Sequence, residues 1–202
     1  MNKKVWFYSL FFLVLIIGFY FMLTKIIPGF GKVSLPVLNK VQSFSFLDQD
    51  SERITNREVE GKVYIAEFFF TTCHGICPKM NTNLLAVYEK YKNEPDFLIL
   101  SHTVDPYTDS VGRLKHYADS LGVDARHWIF LTGKKDSLYQ AARASYLLDD
   151  PKNNFSPIAE QFIHTQFFAL VDKKGQVRSI IDGLEKSELS EMQHQIDELL
   201  KE

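Results

Sequence analysis

The hydrophobic positions of this chain form one long N-terminal run, followed by shorter runs with two different periods. The first run, residues 5–23, contains no charged side chain. A helix rises about 1.5 Å per residue, so this run comes close to spanning the roughly 30 Å hydrocarbon core of a bilayer. The pattern therefore predicts an N-terminal transmembrane helix.

A cleaved secretory signal is the alternative interpretation of this run. It needs a shorter apolar region and a small-residue cleavage site, and residues 24–28 (TKIIP) offer no such site. The first cysteine is Cys73, so a lipobox cysteine is also absent. Lys3 and Lys4 form the tighter basic cluster, which places them in the cytoplasm. We therefore expect a single-pass protein of the cytoplasmic membrane, with its soluble domain on the extracytoplasmic (periplasmic) side.

Beyond residue 40, apolar runs that predict strands alternate with runs of helical period. The predicted strands are 63–70, 97–104, 128–131, 167–171 and 177–181. The predicted helices begin at Pro78, at caps formed by Asp109 and Asp136, and at Ser187, and the third of them runs to about Leu148. The order β-α-β-α-β-α-β-β-α predicts an α/β sheet flanked by helices.

Charge is distributed unevenly along the chain. The first 35 residues contain four lysines and no acid, which leaves 19 basic and 25 acidic residues and a formal charge of −6 for the remainder. This acidic balance, without a basic stripe, argues against nucleic acid as a partner. We predict an anchor at 1–24, a tether rich in proline and glycine at 25–40, and one domain at 41–202, which is long enough to bury a substantial core.

The two cysteines, Cys73 and Cys77, lie between a predicted strand and Pro78, which suits the first turn of a helix. Free N–H groups and the helix dipole there favour thiolates, which bind soft metals and attack disulfides. A structural disulfide would close only a tiny loop and add little stability. The pair therefore indicates a metal site or a redox pair, and the residues alone leave both open.

Histidine is the usual supplement to a pair of thiolates that binds Cu(I). His74 lies between the cysteines, where its ring could reach either solvent or the metal as an additional ligand. His102 ends a predicted strand, where packing is commoner than ligation. His164 ends a long loop, 149–163, and loops of this length are often functional. If the strand after His164 runs antiparallel to its neighbours, its start lies at the same sheet edge as the cysteines. The remaining histidines are assigned no role: His116, His127 and His194.

Four ordered motifs within about residues 40–200 resemble the signature of the Sco/SenC proteins. They are Gly61-Lys62-Val63 leading to FFFTTC-HGIC-PKM (68–80), VDPYTDS (104–110) followed by LKHY (114–117), WIFLTG (128–133), and His164-Thr165 followed by LVDKKG (170–175). The resemblance implies a membrane-tethered, thioredoxin-like domain. It also implies a copper site, for Cu(I) or Cu(II), whose ligands are Cys73, Cys77 and His164. The implied partner is the subunit of cytochrome c oxidase that carries the dinuclear copper centre.

Two positions depart from the family pattern without removing a ligand. His74-Gly75 replaces the common Pro-Asp or Pro-Glu, and Thr108 replaces a frequent basic residue. A thiol-disulfide oxidoreductase is the alternative function, in which Cys73 and Cys77 act as a redox pair and reduce the partner's cysteines. A thiol peroxidase is a third, but it would need an activating arginine, and Arg57 is the one nearby in sequence. His164 has a role in the metallochaperone hypothesis alone.

Overall fold

The structure, a computed structural model, describes residues 3–26, 35–150, 152 and 157–202. Parts of the predicted tether and of the loop 149–163 therefore lie outside the described residues. The chain forms two compact units, divided between Leu35 and Pro36. In the first unit, helix α1 (Lys3–Ile26) contains an apolar span, Lys4–Leu23, with a mean hydropathy of 2.2. The predicted N-terminal apolar helix is confirmed, and its length and composition suit a membrane anchor or a signal sequence.

The second unit contains short elements, followed by the alternation of strands and helices. The strands are β1 (Asn39–Lys40), β2 (Ser45–Leu47), β3 (Arg53–Thr55), β4 (Val63–Phe69), β5 (Phe97–Thr103), β6 (Trp128–Leu131), β7 (Phe167–Val171) and β8 (Gln176–Asp182). The α-helices are α2 (Asn56–Val59), α3 (Cys77–Tyr91), α4 (Val111–Leu121), α5 (Lys135–Gln140) and α6 (Lys186–Leu199). A π-helix (Ala141–Ser145) continues α5, and a 3₁₀ turn (Ile158–Glu160) precedes β7.

Six strands form one mixed sheet in the order β1-β8-β7-β4-β5-β6. Strands β4, β5 and β6 run parallel, and β7 is antiparallel to β4. The carboxyl ends of β4 and β5 therefore lie at the same edge as the start of β7. The strand after His164 is thus antiparallel to its neighbour β4, which was the condition for His164 to lie at the same edge as the cysteines.

The central strands β4 and β5 are buried at every position, as expected for strands covered on both faces. Phe69 contacts Tyr117 of α4, whereas its neighbour Phe68 contacts Tyr146 at the end of the π-helix. Successive strand residues point to opposite faces. Helix α4 therefore covers one face of the sheet at this edge, and the π-helix segment covers the other.

The predicted boundaries of all four helices differ from the observed ones, and α3 begins at Cys77 rather than at Pro78. Ser110, rather than Asp109, caps α4, because the Asp109 carboxylate instead accepts a hydrogen bond from Thr103 at the end of β5. Asp136 lies in the first turn of α5 without capping it, and regular helix ends at Gln140, where the π-helix begins. Helix α6 begins at Lys186, one residue before the predicted Ser187, with Glu185 as its cap. The short strands β1 to β3 and helix α2 were not predicted.

Candidate metal centre

The cysteines lie on the turn that joins β4 to α3. The Cys73 N–H donates to Phe70 O (3.2 Å), and α3 begins at Cys77, with Pro78 in its first turn. Both thiols are free. Cys73 is partly exposed, whereas Cys77 is 4% exposed. The pair therefore presents one accessible sulfur backed by one buried sulfur.

The two thiols differ in acidity because they differ in environment. Partial burial opposes ionisation of Cys73. Hydrogen bonds from the Cys77 thiol and from the backbone of Cys77, Gly75 and Ile76 outweigh this effect, so the pKa of Cys73 is lowered. Burial, together with its hydrogen bond to Cys73, raises the pKa of Cys77 to about 12. Cys73 is therefore the thiol that ionises first and reacts first.

A buried carboxyl group lies in the sheet behind the cysteine turn. Glu67 is fully buried, and burial raises its pKa to about 7 although Ser101 Oγ donates to its Oε1 (2.5 Å). Trp128 Nε1–H donates in turn to Ser101 Oγ (2.8 Å). The second carboxyl oxygen, Oε2, has no hydrogen-bond partner among the described residues. The charge of Glu67 also contributes to the raised pKa of Cys77, after burial and Cys73.

A polar network, not foreseen from the sequence, ties the cysteine turn to α4. The buried Asp109 carboxylate accepts hydrogen bonds from the backbone N–H and hydroxyl of Thr71, and from Thr103 Oγ1 (2.6 Å). Arg113 Nε donates to Thr71 Oγ1 (2.6 Å), so an arginine that is distant in sequence contacts the turn. The available signal was the Asp-Pro-x-x-Asp motif, whose second aspartate is Asp109.

The His164 side chain is exposed, and its ring lies beside an aromatic pair next to the cysteine turn. Its ring centroid is 5.0 Å from that of Phe162 and 6.3 Å from that of Phe70, and the two phenylalanines contact each other. The backbone of Phe70 also hydrogen-bonds the Cys77 sulfur. Within the described part of the chain, however, no three His, Cys, Asp or Glu side chains are close enough to hold a metal. The His164 ring therefore contacts Phe70, at the start of the cysteine turn, but is not grouped with the sulfurs.

The other histidines differ in their settings. His74 is exposed within the cysteine turn. His102 is fully buried, stacks on Phe68 (4.8 Å between ring centroids), and has its pKa lowered to about 4 by burial. This confirms the prediction that His102 is packed in the core. His116 and His194 are exposed, as their positions off the apolar faces predicted.

A mixed sheet with a reduced Cys-x-x-x-Cys pair at the end of a central parallel strand defines a thioredoxin-like protein. The SCO1/SenC family model matches residues 35–201, and the chain belongs to this family. The SCO1 protein homologue of Bacillus subtilis is 31% identical over 163 residues, which cover 79% of this chain and 82% of that protein.

Solved structures show the same fold. BsSco, described as a cytochrome c oxidase assembly protein of the Sco family with a disulfide switch, superposes with a TM-score of 0.69 at 28% identity, covering 83% of this chain and 98% of its own. A SCO1/SenC family lipoprotein from Bacillus anthracis gives 0.70 at 27%, covering 83% and 99%. Copper-bound ScoI from Arabidopsis thaliana gives 0.59 at 24%, covering 79% and 95%, a likeness that shows the fold alone. The predicted thioredoxin-like fold is confirmed.

Proposed function

We propose that this chain is a membrane-anchored copper chaperone that binds copper through Cys73, Cys77 and His164. In this proposal it assists assembly of the dinuclear copper centre of cytochrome c oxidase, and its partner is the subunit that carries that centre. The observation that carries the proposal is the pair of free cysteines at the sheet edge where His164 also lies. Family membership supports it, since BsSco is a cytochrome c oxidase assembly protein.

The donor set suits copper. Two thiolates form a soft pair that favours Cu(I), and an imidazole adds the borderline nitrogen that Cu(II) prefers. The two sulfurs are already hydrogen-bonded to each other, and the one that ionises first is the accessible one. His164 is exposed, so its ring is free of the packing that holds His102 in the core. We expect His164 to join the sulfurs when the metal binds.

The N-terminal unit supports a location at the membrane. We propose that residues 1–24 anchor the chain, that 25–40 form a tether, and that 41–202 form the copper-binding domain on the extracytoplasmic side. The apolar span Lys4–Leu23 and the basic pair Lys3 and Lys4 support this topology. The Bacillus anthracis relative is a lipoprotein, whereas this chain has no cysteine before Cys73 to carry a lipid.

A second function, reduction of a partner's disulfide, is favoured by the unequal acidity of the two thiols. The Cys73 thiolate would attack the disulfide and release one partner thiolate, which takes a proton. The Cys77 thiol would then lose its proton and attack the mixed disulfide, which frees the second partner thiolate and leaves a Cys73–Cys77 disulfide. Two electrons pass to the partner in this exchange, so a thiol reductant must restore the pair.

Copper stoichiometry tests the proposal. The reduced full-length chain in detergent should bind one Cu(I), and Cys73→Ser and Cys77→Ser should each abolish tight binding while leaving the circular dichroism spectrum unchanged. A reduced wild-type chain that binds no Cu(I), but reduces a model disulfide, would replace the chaperone with the oxidoreductase. His116→Ala, at an exposed position on α4, is the matched control and should bind as the wild type does.

A further inference from the structure

Three side chains spaced by four residues form a column along α5 and the π-helix that follows it. Lys135 Nζ lies 5.2 Å from the centroid of the Tyr139 ring, and Arg143 Cζ lies 5.6 Å from the same ring. Both cations therefore contact the aromatic ring between them. Lys135 and Tyr139 are buried, with exposed fractions of 8% and 0%. We call these three residues the α5 column.

The α5 column contacts the chain that leads to His164 at two places, first at Asp149 and then at Ala159 and Gln161. Arg143 Nε pairs with Asp149 Oδ2 (2.7 Å) where the loop begins. Toward its end, Lys135 Nζ donates to Ala159 O (3.2 Å). The Tyr139 hydroxyl lies within hydrogen-bond distance of both Gln161 O (3.1 Å) and Val104 O (2.9 Å), so its proton is shared between these two carbonyls. No described carboxylate pairs with Lys135. Its buried ammonium instead contacts Ala159 O and the rings of Tyr107 and Tyr139.

The last of these contacts lies close in sequence to His164. Gln161 is three residues before His164, and three extended residues span at most about 10 Å. Ile163, directly before His164, is itself buried in the core. A Gln161 carbonyl fixed by Tyr139 therefore limits how far the His164 ring can move from the aromatic pair Phe70 and Phe162.

We propose that Lys135 and Tyr139, with Arg143 packed on the Tyr139 ring, are positioning residues that keep His164 within reach of the Cys73 and Cys77 sulfurs. The proposal rests on the proposed function, in which His164 is the third ligand. A ligand on a loop that is already held loses less conformational freedom on binding than a ligand on a free loop. The apparent metal affinity falls with the fraction of molecules in which the ligand is in reach.

The effect should be largest for the copper ion that depends most on the imidazole. The net contribution of one hydrogen bond corresponds to about a fivefold change in an equilibrium constant. We therefore expect Tyr139→Phe and Lys135→Met each to weaken Cu(II) binding about fivefold. Cu(I), which two thiolates hold by themselves, should bind within about twofold of the wild-type affinity, by the preference of soft metals for sulfur.

Two control variants match these changes. Tyr91→Phe also removes a hydroxyl with two bonds, to Gln193 O and Asp197 Oδ1, but it does so at the contact of α3 with α6. Lys134→Met removes the exposed lysine next to Lys135. The full-length chain in detergent is measured in two ways. Hydrogen–deuterium exchange of residues 157–166 is followed in the metal-free protein, and Cu(II) affinity is measured together with the nitrogen hyperfine splitting in its EPR spectrum.

In Tyr139→Phe and Lys135→Met we expect faster exchange in 157–166, weaker Cu(II) binding and a smaller fraction of nitrogen-coupled Cu(II), with both controls like the wild type. It is overturned if exchange rises while Cu(II) affinity is unchanged or increases, if exchange does not rise, or if Tyr91→Phe loses as much affinity. A His164→Ala chain with wild-type Cu(II) affinity would instead reject the proposed function, and the exchange data would still show whether the column holds the loop.

Discussion

Replacing the buried carboxyl group Glu67 by glutamine should change how the stability of this domain depends on pH. Glu67→Gln keeps an oxygen that can accept the hydrogen bond from Ser101, and it removes the ionisable group. The carboxyl pKa is raised from 4.5 to about 7 by burial. Between pH 4.5 and about 7, Glu67 holds a proton in the folded chain that it releases in the unfolded chain. The stabilising contribution of Glu67 is therefore complete below pH 4.5 and is lost as pH rises through about 7.

The magnitude follows from the difference between the folded and unfolded pKa values of Glu67. A pKa difference of about 2.5, at 1.36 kcal/mol each, corresponds to about 3 kcal/mol. The wild type should therefore lose about 3 kcal/mol from this group between pH 4.5 and pH 8. Glu67→Gln should be within about 1 kcal/mol of the wild type at pH 4.5, because a protonated carboxyl and an amide make similar demands on a site with one partner.

Urea unfolding of both proteins, followed by circular dichroism at pH 4.5, 6, 7 and 8 with the thiols kept reduced, measures this difference. Subtracting the two profiles removes the contribution of other groups, notably His102, whose lowered pKa acts in the opposite direction. The expected difference grows from near zero to about 3 kcal/mol in favour of Glu67→Gln. A difference that does not vary with pH would refute the argument, because Glu67 would then be ionised to the same extent in both states.

Three further predictions follow from the cysteine turn, the thiols and the N-terminal span. Asp109→Ala should lower the free energy of unfolding by about 3 kcal/mol, because it leaves the donors of Thr71 and Thr103 without an acceptor. Asp109→Asn should lose less stability, and equal losses for the two variants in urea unfolding would contradict this. Oxidation of Cys73 and Cys77 should abolish Cu(I) binding in competition titrations while leaving the fold in place, and equally tight binding by the oxidised chain would move the site elsewhere. A reporter fused after Glu202 should be active outside the cytoplasm, and activity confined to the cytoplasm would reverse the topology.

The central sheet was predictable because its strands are buried on both faces. Strands β4, β5 and β6 are continuous apolar runs, and such runs predict strands without help from distant contacts. The hairpin of β7 and β8 was predictable from its turn, in which Gly175 has a φ of 71°. Strands of two or three residues, such as β1 and β2, are too short to show a period. The pairing of β1 also depends on β8, which lies far along the chain.

The helix caps were predicted wrongly for a different physical reason. Asp109 and Ser110 are both good capping residues, and the choice between them depends on Thr71, which is 38 residues away in sequence. The unequal acidity of the cysteines could not be predicted either, because it follows from the burial of Cys77, from its hydrogen bond to Cys73 and, to a smaller extent, from the charge of Glu67 on β4. The sequence did predict the edge at which the cysteines and His164 lie. Its motifs did not show that Phe70 contacts the His164 ring and hydrogen-bonds the Cys77 sulfur.

The role of His164 as the third ligand is the claim on which the proposed function depends most directly. It is tested by measuring Cu(I) and Cu(II) affinities of the wild type, His164→Ala, His74→Ala and the double variant, with circular dichroism to confirm folding. We predict that His164→Ala keeps Cu(I) bound through the two sulfurs but loses most of its affinity for Cu(II), which prefers more ligands and imidazole nitrogen. His74 lies in the cysteine turn, so the double variant should lose somewhat more. Unchanged affinity for both ions in His164→Ala, with a loss in His74→Ala, would contradict the account and place the third ligand within the turn.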